Sequence, residues 1–361
     1  MSDGTIQGPQ PSAAVRRTKE YHPPLGDRSG LRFDFNENTF ACSPRVQEAL
    51  GRISRGDLTR YPEREPVEHR VAAHLGLWPS QVLLTNGVDE AIHLLCQTYL
   101  DADTEFLLPV PTYTMYEVYA SSTPAHIVRI PAEDGFRFPM AGLLNAIRPA
   151  TRLIAIANPN SPTGQAARRE DLLQLVEAAP HAAVLIDEAY FHFFGESVAD
   201  QVGRVSNVIV ARTFSKAYGL AGLRLGVLAA AEEQMHWIRR ATSPYSVNSV
   251  ALACLAAALE DQDYLRWYVG EVQASRPAFE AALQCLGVPY WPSQANFVLA
   301  RIGPRHREFV TAMRTRGVLV RDRSSDPGCD GCVRITLGTR EQTQRGIEAV
   351  GASLAEIGWS R

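Results

Sequence analysis

Apolar runs of four or five residues alternate with segments of helical periodicity over the first 250 positions. Because these runs are hydrophobic throughout, they are typical of parallel strands that a sheet buries on both faces. The runs that predict strands are 81–84, 105–108, 153–157, 183–186 and 208–211. The segments that predict helices are 89–99, 139–146 and 169–178. This alternation predicts an α/β domain with a mostly parallel central sheet.

The pattern changes after about residue 250, where longer helical segments and short strand-like runs follow one another. Helices are predicted at 251–259, 264–286, 307–316 and 340–357, and strands at 296–301, 318–321 and 333–337. We therefore expect a smaller α+β domain at the C-terminus. The predicted organisation is an N-terminal arm (1–30), a large domain (31–250), and a small domain (251–361) that part of the N-terminal segment joins.

The net charge of the 361-residue chain is only −3, and neither lysine nor arginine forms a long run. A nucleic-acid or membrane surface is therefore not expected, and a small anionic substrate would need individually placed arginines. No stretch of about 18 apolar residues predicts a membrane span, and the polar N-terminus lacks the apolar core of a secretory signal. The six scattered cysteines fit a reduced, cytoplasmic protein.

Cys329 and Cys332 form a C-x-x-C motif that has two interpretations. It is either a redox or half-zinc site, or a pair of cysteines without a chemical role. The chain has neither a second such motif nor a histidine pair at zinc-finger spacing to complete a four-ligand zinc site. A lone C-x-x-C carries little metal specificity, which favours the second interpretation.

Lys216 follows a predicted apolar strand and precedes a glycine-rich stretch. An ammonium group among packed apolar residues is rare unless it is paired or used. Partial desolvation lowers the pKa of a lysine and makes it a nucleophile suited to Schiff-base chemistry. Ser215 adds a hydroxyl beside it, and Arg224 offers a second anion contact. The alternative is a solvated lysine in a loop.

Asp187 lies at the carboxyl end of another predicted strand, where open α/β sheets bind their ligands. A buried carboxylate there would keep a heterocyclic nitrogen protonated. Tyr190 follows three residues later, and its hydroxyl could reach the same ligand. The alternative is an aspartate that caps the next helix.

A turn after the strand at 81–84 opens a helix at Val88 and Asp89. Backbone N–H groups at the beginning of a helix bind phosphate well. The signal is weak by itself, because strand–glycine–helix turns are common.

Two further loops could line the same crevice. In the first, a proline precedes Tyr113, whose ring offers a flat face on which a heterocycle could stack; a core aromatic is the alternative. The second, at 158–164, is a polar turn after a strand, in which Asn160 and Ser161 could place an amide or a hydroxyl near that ring.

Arg321 and Arg334 each lie in a short predicted strand of the small domain. An arginine in an apolar strand needs an anionic partner, and a carboxylate held by both arms of the guanidinium is the expected ligand. A structural ion pair is the alternative for each.

Taken together and in this order, these segments resemble the fold-type I, class I/II aminotransferases, which depend on pyridoxal 5′-phosphate (PLP). The resemblance extends from about Tyr21 to about Leu354. The matching stretches are NENTF (36–40), RYPE (60–63), NGVDEAI (86–92), PTYTMY (111–116), NPNSPTG (158–164), DEAY (187–190), RTFSKAYGLAGLRLG (212–226), ANFV (295–298), LVRD (319–322) and GCVRITLGT (331–339). The last two are similar to the histidinol-phosphate subfamily.

The resemblance implies how the cofactor is held. Lys216 is implied to bind PLP as a Schiff base and to move the reacting proton, while Asp187 pairs with the pyridinium nitrogen. Tyr190 is implied to bond the phenolic oxygen of the ring, and Tyr113 to stack on it. Implied phosphate contacts are the backbone of Val88 and Asp89, Ser215, Arg224, and Tyr61 reaching across to the neighbouring subunit of a homodimer.

The resemblance also implies the substrate contacts: Arg334 on the α-carboxylate, and Arg321, Tyr21 and Asn36 toward the other end. Two departures affect details. The family loop NPNNPTG has an asparagine where this chain has Ser161, so the contact to the phenolic oxygen passes to Ser161, Asn160 or water. The family's NENP-x-G is replaced by a segment without that proline and glycine, which could reshape the loop near the arm.

The expected substrates are small molecules: glutamate with 2-oxoglutarate, and histidinol phosphate. Three alternatives stay open. An aromatic aminotransferase would have an apolar substrate end, and a PLP-dependent decarboxylase of a phosphorylated amino acid would release CO2. A PLP-sensing transcription factor would need an appended basic DNA-binding domain, and the 30-residue arm is too short for one.

Overall fold

The computed structural model describes residues 8–18, 20–23, 26 and 28–360; the rest of the predicted arm lies outside them. The strands are β1 (Leu31–Phe33), β2 (Val82–Asn86), β3 (Glu105–Val110), β4 (His126–Pro131), β5 (Thr151–Ala157), β6 (Ala183–Asp187), β7 (Val208–Thr213), β8 (Leu225–Ala230), β9 (Tyr290–Trp291), β10 (Phe297–Arg301), β11 (Val318–Asp322) and β12 (Cys332–Thr336). The helices are α1 (Ala13–Arg17), α2 (Pro44–Gly51), α3 (Arg55–Thr59), α4 (Glu65–Leu75), α5 (Gly87–Tyr99), α6 (Thr114–Ser121), α7 (Met140–Ala146), α8 (Arg169–Ala178), α9 (Phe191–Phe194), α10 (Glu232–Ala241), α11 (Ser249–Glu260), α12 (Gln262–Cys285), α13 (His306–Thr315) and α14 (Arg340–Glu356).

The larger sheet has the strand order β2-β8-β7-β6-β5-β3-β4. All its pairs are parallel except those of β8, which runs antiparallel to both β2 and β7. The predicted α/β fold with a mostly parallel sheet is therefore confirmed. The sequence did not predict β4, whose half-exposed residues lack a continuous apolar run, or β8, which directly follows the glycine-rich stretch.

The second sheet has the order β1-β11-β12-β10-β9 and contains the predicted C-terminal strands. β1 comes from the N-terminal part of the chain and pairs in parallel with β11. The residues that follow β1 therefore lie beside the β11–β12 hairpin. A single apolar cluster includes Leu84 and Val227 of the larger sheet together with Val298 and Ile335 of the second. Because this one cluster packs against both sheets, it does not divide the chain into a large and a small domain, and the domain boundaries stay a prediction.

The carboxyl ends of β5, β6 and β7 meet at one edge of the larger sheet, where Ala157, Asp187 and Ala211 are in register. At the same edge β8 approaches the beginning of α5 closely. A Cβ atom on Gly226 would lie 2.6 Å from the carbonyl carbon of Gly87 and 2.7 Å from the backbone nitrogen of Val88. Only glycine allows this approach. No helix of the described part of the chain is long and apolar enough to cross a membrane.

Candidate active site

Asp187 ends β6 with its carboxylate buried at this edge of the sheet. Tyr116 donates its hydroxyl to Oδ2 at 2.6 Å, and the backbone N–H of Ala189 donates to Oδ1 at 3.0 Å. Burial, only partly offset by these two bonds, raises the pKa of Asp187 to about 6. Because this carboxylate is poorly solvated, a cationic N–H group beside it would strongly stabilise its ionised form. Tyr116 was quoted in the motif 111–116 but was not predicted to act.

Lys216 follows β7 and is half-buried. Its Nζ donates to the carbonyl oxygen of Phe35 at 2.9 Å. Among the described residues no carboxylate lies within ion-pair distance of this ammonium group. Ser215, one residue before, is buried, and its backbone N–H donates to the Thr213 hydroxyl at 3.0 Å. The lysine therefore stands at the sheet edge held only by a neutral acceptor.

The guanidinium of Arg224 lies at the beginning of α5 and pairs with Asp89. Nη2 of Arg224 donates to Oδ2 of Asp89 at 2.8 Å, and the Tyr113 hydroxyl donates to Oδ1 at 2.8 Å. A Cβ atom on Gly87 would lie 2.6 Å from Nη2, so the guanidinium lies directly against the first turn of the helix. The side chain of Asn86 does not cap that turn. The first turn of α5, which contains Val88 and Asp89, therefore has no side-chain cap, and uncapped N–H groups at such a position can bind an anion.

The 158–164 loop presents its two polar residues differently. The Asn160 amide is fully occupied within the loops: Oδ1 accepts from Thr112 at 2.7 Å, and Nδ2 donates to Pro111 O and Thr163 Oγ1, each at 2.9 Å. The Ser161 hydroxyl instead accepts from Nη1 of Arg334 at 2.9 Å. Of the two predicted residues, Ser161 is the one that faces another predicted site residue.

Arg334, in β12, is buried over the ring of Phe297, 5.3 Å from its centroid. Besides Ser161, it donates from Nη2 to Asp34 O at 2.7 Å, and its Nε has no partner among the described residues. Burial lowers the pKa of Arg334 to about 10, which leaves it protonated at neutral pH. It is thus a buried cation bonded to neutral acceptors, without the structural ion pair that was the alternative within the described part of the chain.

Arg321 lies opposite Arg334 in the β11–β12 register. Nη2 of Arg321 donates to the Tyr21 hydroxyl at 3.3 Å, and its guanidinium carbon lies 5.3 Å from the centroid of the Phe35 ring. Its Nη1 is buried without a partner among the described residues. Two guanidinium groups on adjacent strands, each with a free N–H group, favour a ligand with two anionic ends.

Tyr190 and Asn36 are also brought to the site. Nδ2 of Asn36 donates to the Tyr190 hydroxyl at 2.9 Å. Asn36 was predicted to bind substrate, but the described contacts of its amide are with Tyr190 and Thr336. The preceding residues, Asp34 and Phe35, accept from Arg334 and Lys216 through their carbonyls. Three consecutive residues after β1 therefore contact three of the predicted site residues. The first two were not predicted, because contacts through backbone carbonyls leave no signal in the sequence.

Tyr61 is not joined to this group within a single chain. Its side chain is 77% exposed and stacks on Tyr245 with 4.4 Å between ring centroids. Cys329 and Cys332 are buried, unpaired thiols beside Leu299. Within the described residues, no group of three or more histidine, cysteine or carboxylate side chains could hold a metal ion.

A family model described as aminotransferase class I and II matches residues 28–350. The histidinol-phosphate aminotransferase of Geobacillus sp. strain WCH70 is 34% identical over 354 residues, covering 96% of this chain and 95% of that protein. The histidinol-phosphate aminotransferase of Symbiobacterium thermophilum is 34% identical over 358 residues, covering 95% and 98%. Both comparisons span nearly the whole of each chain.

Two solved structures show the same fold. Histidinol-phosphate aminotransferase from Sinorhizobium meliloti, in complex with pyridoxal-5′-phosphate, has a TM-score of 0.89 and 23% identity, covering 98% of this chain and 99% of that one. L-Threonine-O-3-phosphate decarboxylase from Porphyromonas gingivalis has a TM-score of 0.79 and 24% identity, covering 90% and 99%. Because aminotransferase and decarboxylase share this fold, the fold alone does not distinguish the two activities.

Proposed function

We propose that this chain, which belongs to the aminotransferase class I and II family, is a PLP-dependent histidinol-phosphate:2-oxoglutarate aminotransferase of histidine biosynthesis. Glutamate would give its amino group to the enzyme, and imidazole-acetol phosphate would receive it, by a reversible ping-pong mechanism. One observation carries the proposal: Arg321 and Arg334 lie opposite each other, each with a buried N–H group that lacks a partner among the described residues.

The donors and acceptors at the sheet edge fit PLP. Asp187, buried and short of solvation, suits a pyridinium N–H, and the beginning of α5 with Ser215 and Arg224 suits a phosphate. Lys216 is an amine without a carboxylate partner in the described chain, as covalent attachment requires. When bound, PLP supplies an electron sink for the substrate's Cα electrons. Tyr113 is proposed to stack on its ring, and Tyr190 and Ser161 to lie toward its phenolic oxygen.

Lys216 is proposed to move the reacting proton. Its amine would take the proton from the substrate Cα and deliver it to the C4′ carbon of the cofactor, which is general base and then general acid catalysis by one group. The carbonyl of Phe35, 2.9 Å from Nζ, gives the lysine a defined neutral resting contact.

The two arginines explain how one site takes two different substrates. Arg334 is proposed to bind the α-carboxylate of glutamate, while Arg321 and Tyr21 bind its side-chain carboxylate. Histidinol phosphate has no α-carboxylate, and its phosphate is proposed to bind Arg321. The Ser161 hydroxyl and the Asp34 carbonyl hold Arg334 in place when no carboxylate is present.

The proposed assembly is a homodimer in the cytoplasm. Tyr61 supports the proposal, because it is 77% exposed and its described ring contact is with Tyr245, not with another predicted site residue. The buried Cys96, Cys254, Cys329 and Cys332 form no disulfide, as is usual in a reducing compartment.

The test is a steady-state comparison of amino donors with 2-oxoglutarate as acceptor, measuring the glutamate formed. We expect kcat/KM for histidinol phosphate to exceed that for phenylalanine. A preference for phenylalanine would instead identify an aromatic aminotransferase. Release of CO2 from a phosphorylated amino acid without glutamate formation would identify a decarboxylase. Both results would overturn the proposed substrate.

A further inference from the structure

Hydrogen bonds hold the backbone N–H, the backbone carbonyl and the side-chain amide of Asn36. Its backbone N–H donates to Thr336 Oγ1 at 3.1 Å, and its carbonyl accepts from Nδ2 of Asn296 at 3.1 Å. The Thr336 hydroxyl donates to Oδ1 of Asn36 at 3.0 Å. The residue is only 1% exposed, and its φ of 54° lies in the left-handed region, which asparagine tolerates better than most residues.

These contacts determine which way the Asn36 amide points. The Thr336 hydroxyl has one proton, and its oxygen already accepts the backbone N–H of Asn36. If the amide were rotated by 180°, its Nδ2 would face the Thr336 oxygen. The hydroxyl proton of this fully buried threonine would then lack Oδ1 as its acceptor. The Nδ2 group therefore points at Tyr190, 2.9 Å away, as a donor.

The direction of the Tyr190 proton follows from this. Because the Tyr190 oxygen accepts from Asn36, its own proton points away from Asn36, and no acceptor for that proton occurs among the described contacts of Tyr190. The ring is held edge-on to Phe297, with 5.2 Å between centroids, so the hydroxyl cannot swing to another partner without moving the ring.

We propose that Asn36 is a positioning residue that directs the Tyr190 hydroxyl proton into the active site, through a chain of donors running from Thr336 to Asn36 to Tyr190. The inference rests on the proposed function, since the acceptor at the end of the chain is the phenolic oxygen of bound PLP. Asn36 thus acts on the reaction through Tyr190, without touching the substrate.

The test uses the holoenzyme and the pH dependence of the visible absorption of bound cofactor. In Asn36→Asp, a carboxylate accepts the Tyr190 proton and withdraws it from the site. We expect the midpoint of the spectral titration to shift by about one pH unit, in the same direction as in Tyr190→Phe, because one strong hydrogen bond is lost. Asn36→Gly, which keeps the left-handed backbone and removes the amide, should shift it in the same direction by less. Thr336→Ser, which keeps the hydroxyl, is the matched control and should leave the midpoint unchanged.

The double variant Asn36→Asp/Tyr190→Phe separates an indirect effect from a direct one. If Asn36 acts through Tyr190, the aspartate adds little to the shift of Tyr190→Phe alone. The proposal is overturned if Asn36→Asp shifts the titration midpoint as much in the Tyr190→Phe background as in the wild type. It is also overturned if Asn36→Asp does not shift the midpoint in the wild type. A wild type that titrates normally but does not transaminate histidinol phosphate would refute the proposed function and leave this result standing. A wild type without a visible band would overturn both.

Discussion

Replacing Asp187 by asparagine should stabilise the cofactor-free protein while damaging the enzyme. Burial raises the pKa of this carboxyl from an ordinary 3.8 to about 6. In the unfolded chain the group ionises near its ordinary value, so between these two values the folded state holds a proton that the unfolded state has lost. The free energy of unfolding therefore falls as the pH rises through this range. Above the range, the folded protein bears the full cost of burying the ionised carboxylate.

The two-unit difference corresponds to about 3 kcal/mol. Asparagine has no charge to desolvate, and its amide can keep both contacts: Oδ1 accepts from Ala189, and Nδ2 donates to the oxygen of Tyr116. The apoprotein of Asp187→Asn should therefore be more stable than wild type by up to about 3 kcal/mol at about pH 8, and by only about 1 kcal/mol at about pH 4.5.

The measurement is denaturant unfolding of both apoproteins at these two pH values, followed by the same comparison with saturating PLP. Added PLP should reverse the order, because the wild-type carboxylate gains a pyridinium partner that asparagine cannot match. The reasoning is refuted if Asp187→Asn is no more stable than wild type at the higher pH, or if its advantage is the same at both pH values.

Three further substitutions test the other parts of the site. Lys216→Ala should abolish the visible absorption of bound PLP and lower the turnover number by at least about 10²–10⁴-fold; a retained band would contradict its role. Arg334→Lys should raise the KM for glutamate about 10–100-fold, since the two-armed contact is lost, but change the KM for histidinol phosphate less; equal changes in steady-state assays would contradict the assignment. Arg224→Gln should weaken PLP binding to the apoenzyme about 10-fold or more in a fluorescence titration, whereas the exposed Arg345→Gln should not.

The strands of the larger sheet show what hydrophobic pattern predicts well. β5, β6 and β7 are largely apolar runs, so the pattern predicted the sheet edge at which Asp187 ends β6 and Lys216 follows β7. The antiparallel strand β8 was missed although it is fully buried, because it directly follows the glycine-rich stretch. Arg224, which directly precedes β8, has a φ of 54°, a backbone conformation that no hydrophobic pattern records.

The site shows a different limit. Side chains with rare chemistry for their surroundings, such as Arg334 in an apolar strand, were found from sequence. The residues that contact them were not: Tyr116 appeared only within the motif at 111–116, and Asp34 and Phe35 make their contacts through backbone carbonyls. Asn36 was expected at the substrate, whereas its described contacts place it behind Tyr190. Such contacts depend on β1 pairing with β11, a long-range feature that local sequence does not contain.

The most direct test of the central claim is a half-reaction followed by visible absorption, with wild type and Lys216→Ala compared. The account predicts that histidinol phosphate alone bleaches the band of the lysine-bound cofactor, at far lower concentration than phenylalanine, and that 2-oxoglutarate restores it. Lys216→Ala should show neither the band nor the response. A wild type that has no such band, or a band that histidinol phosphate does not bleach while phenylalanine does, would contradict the account.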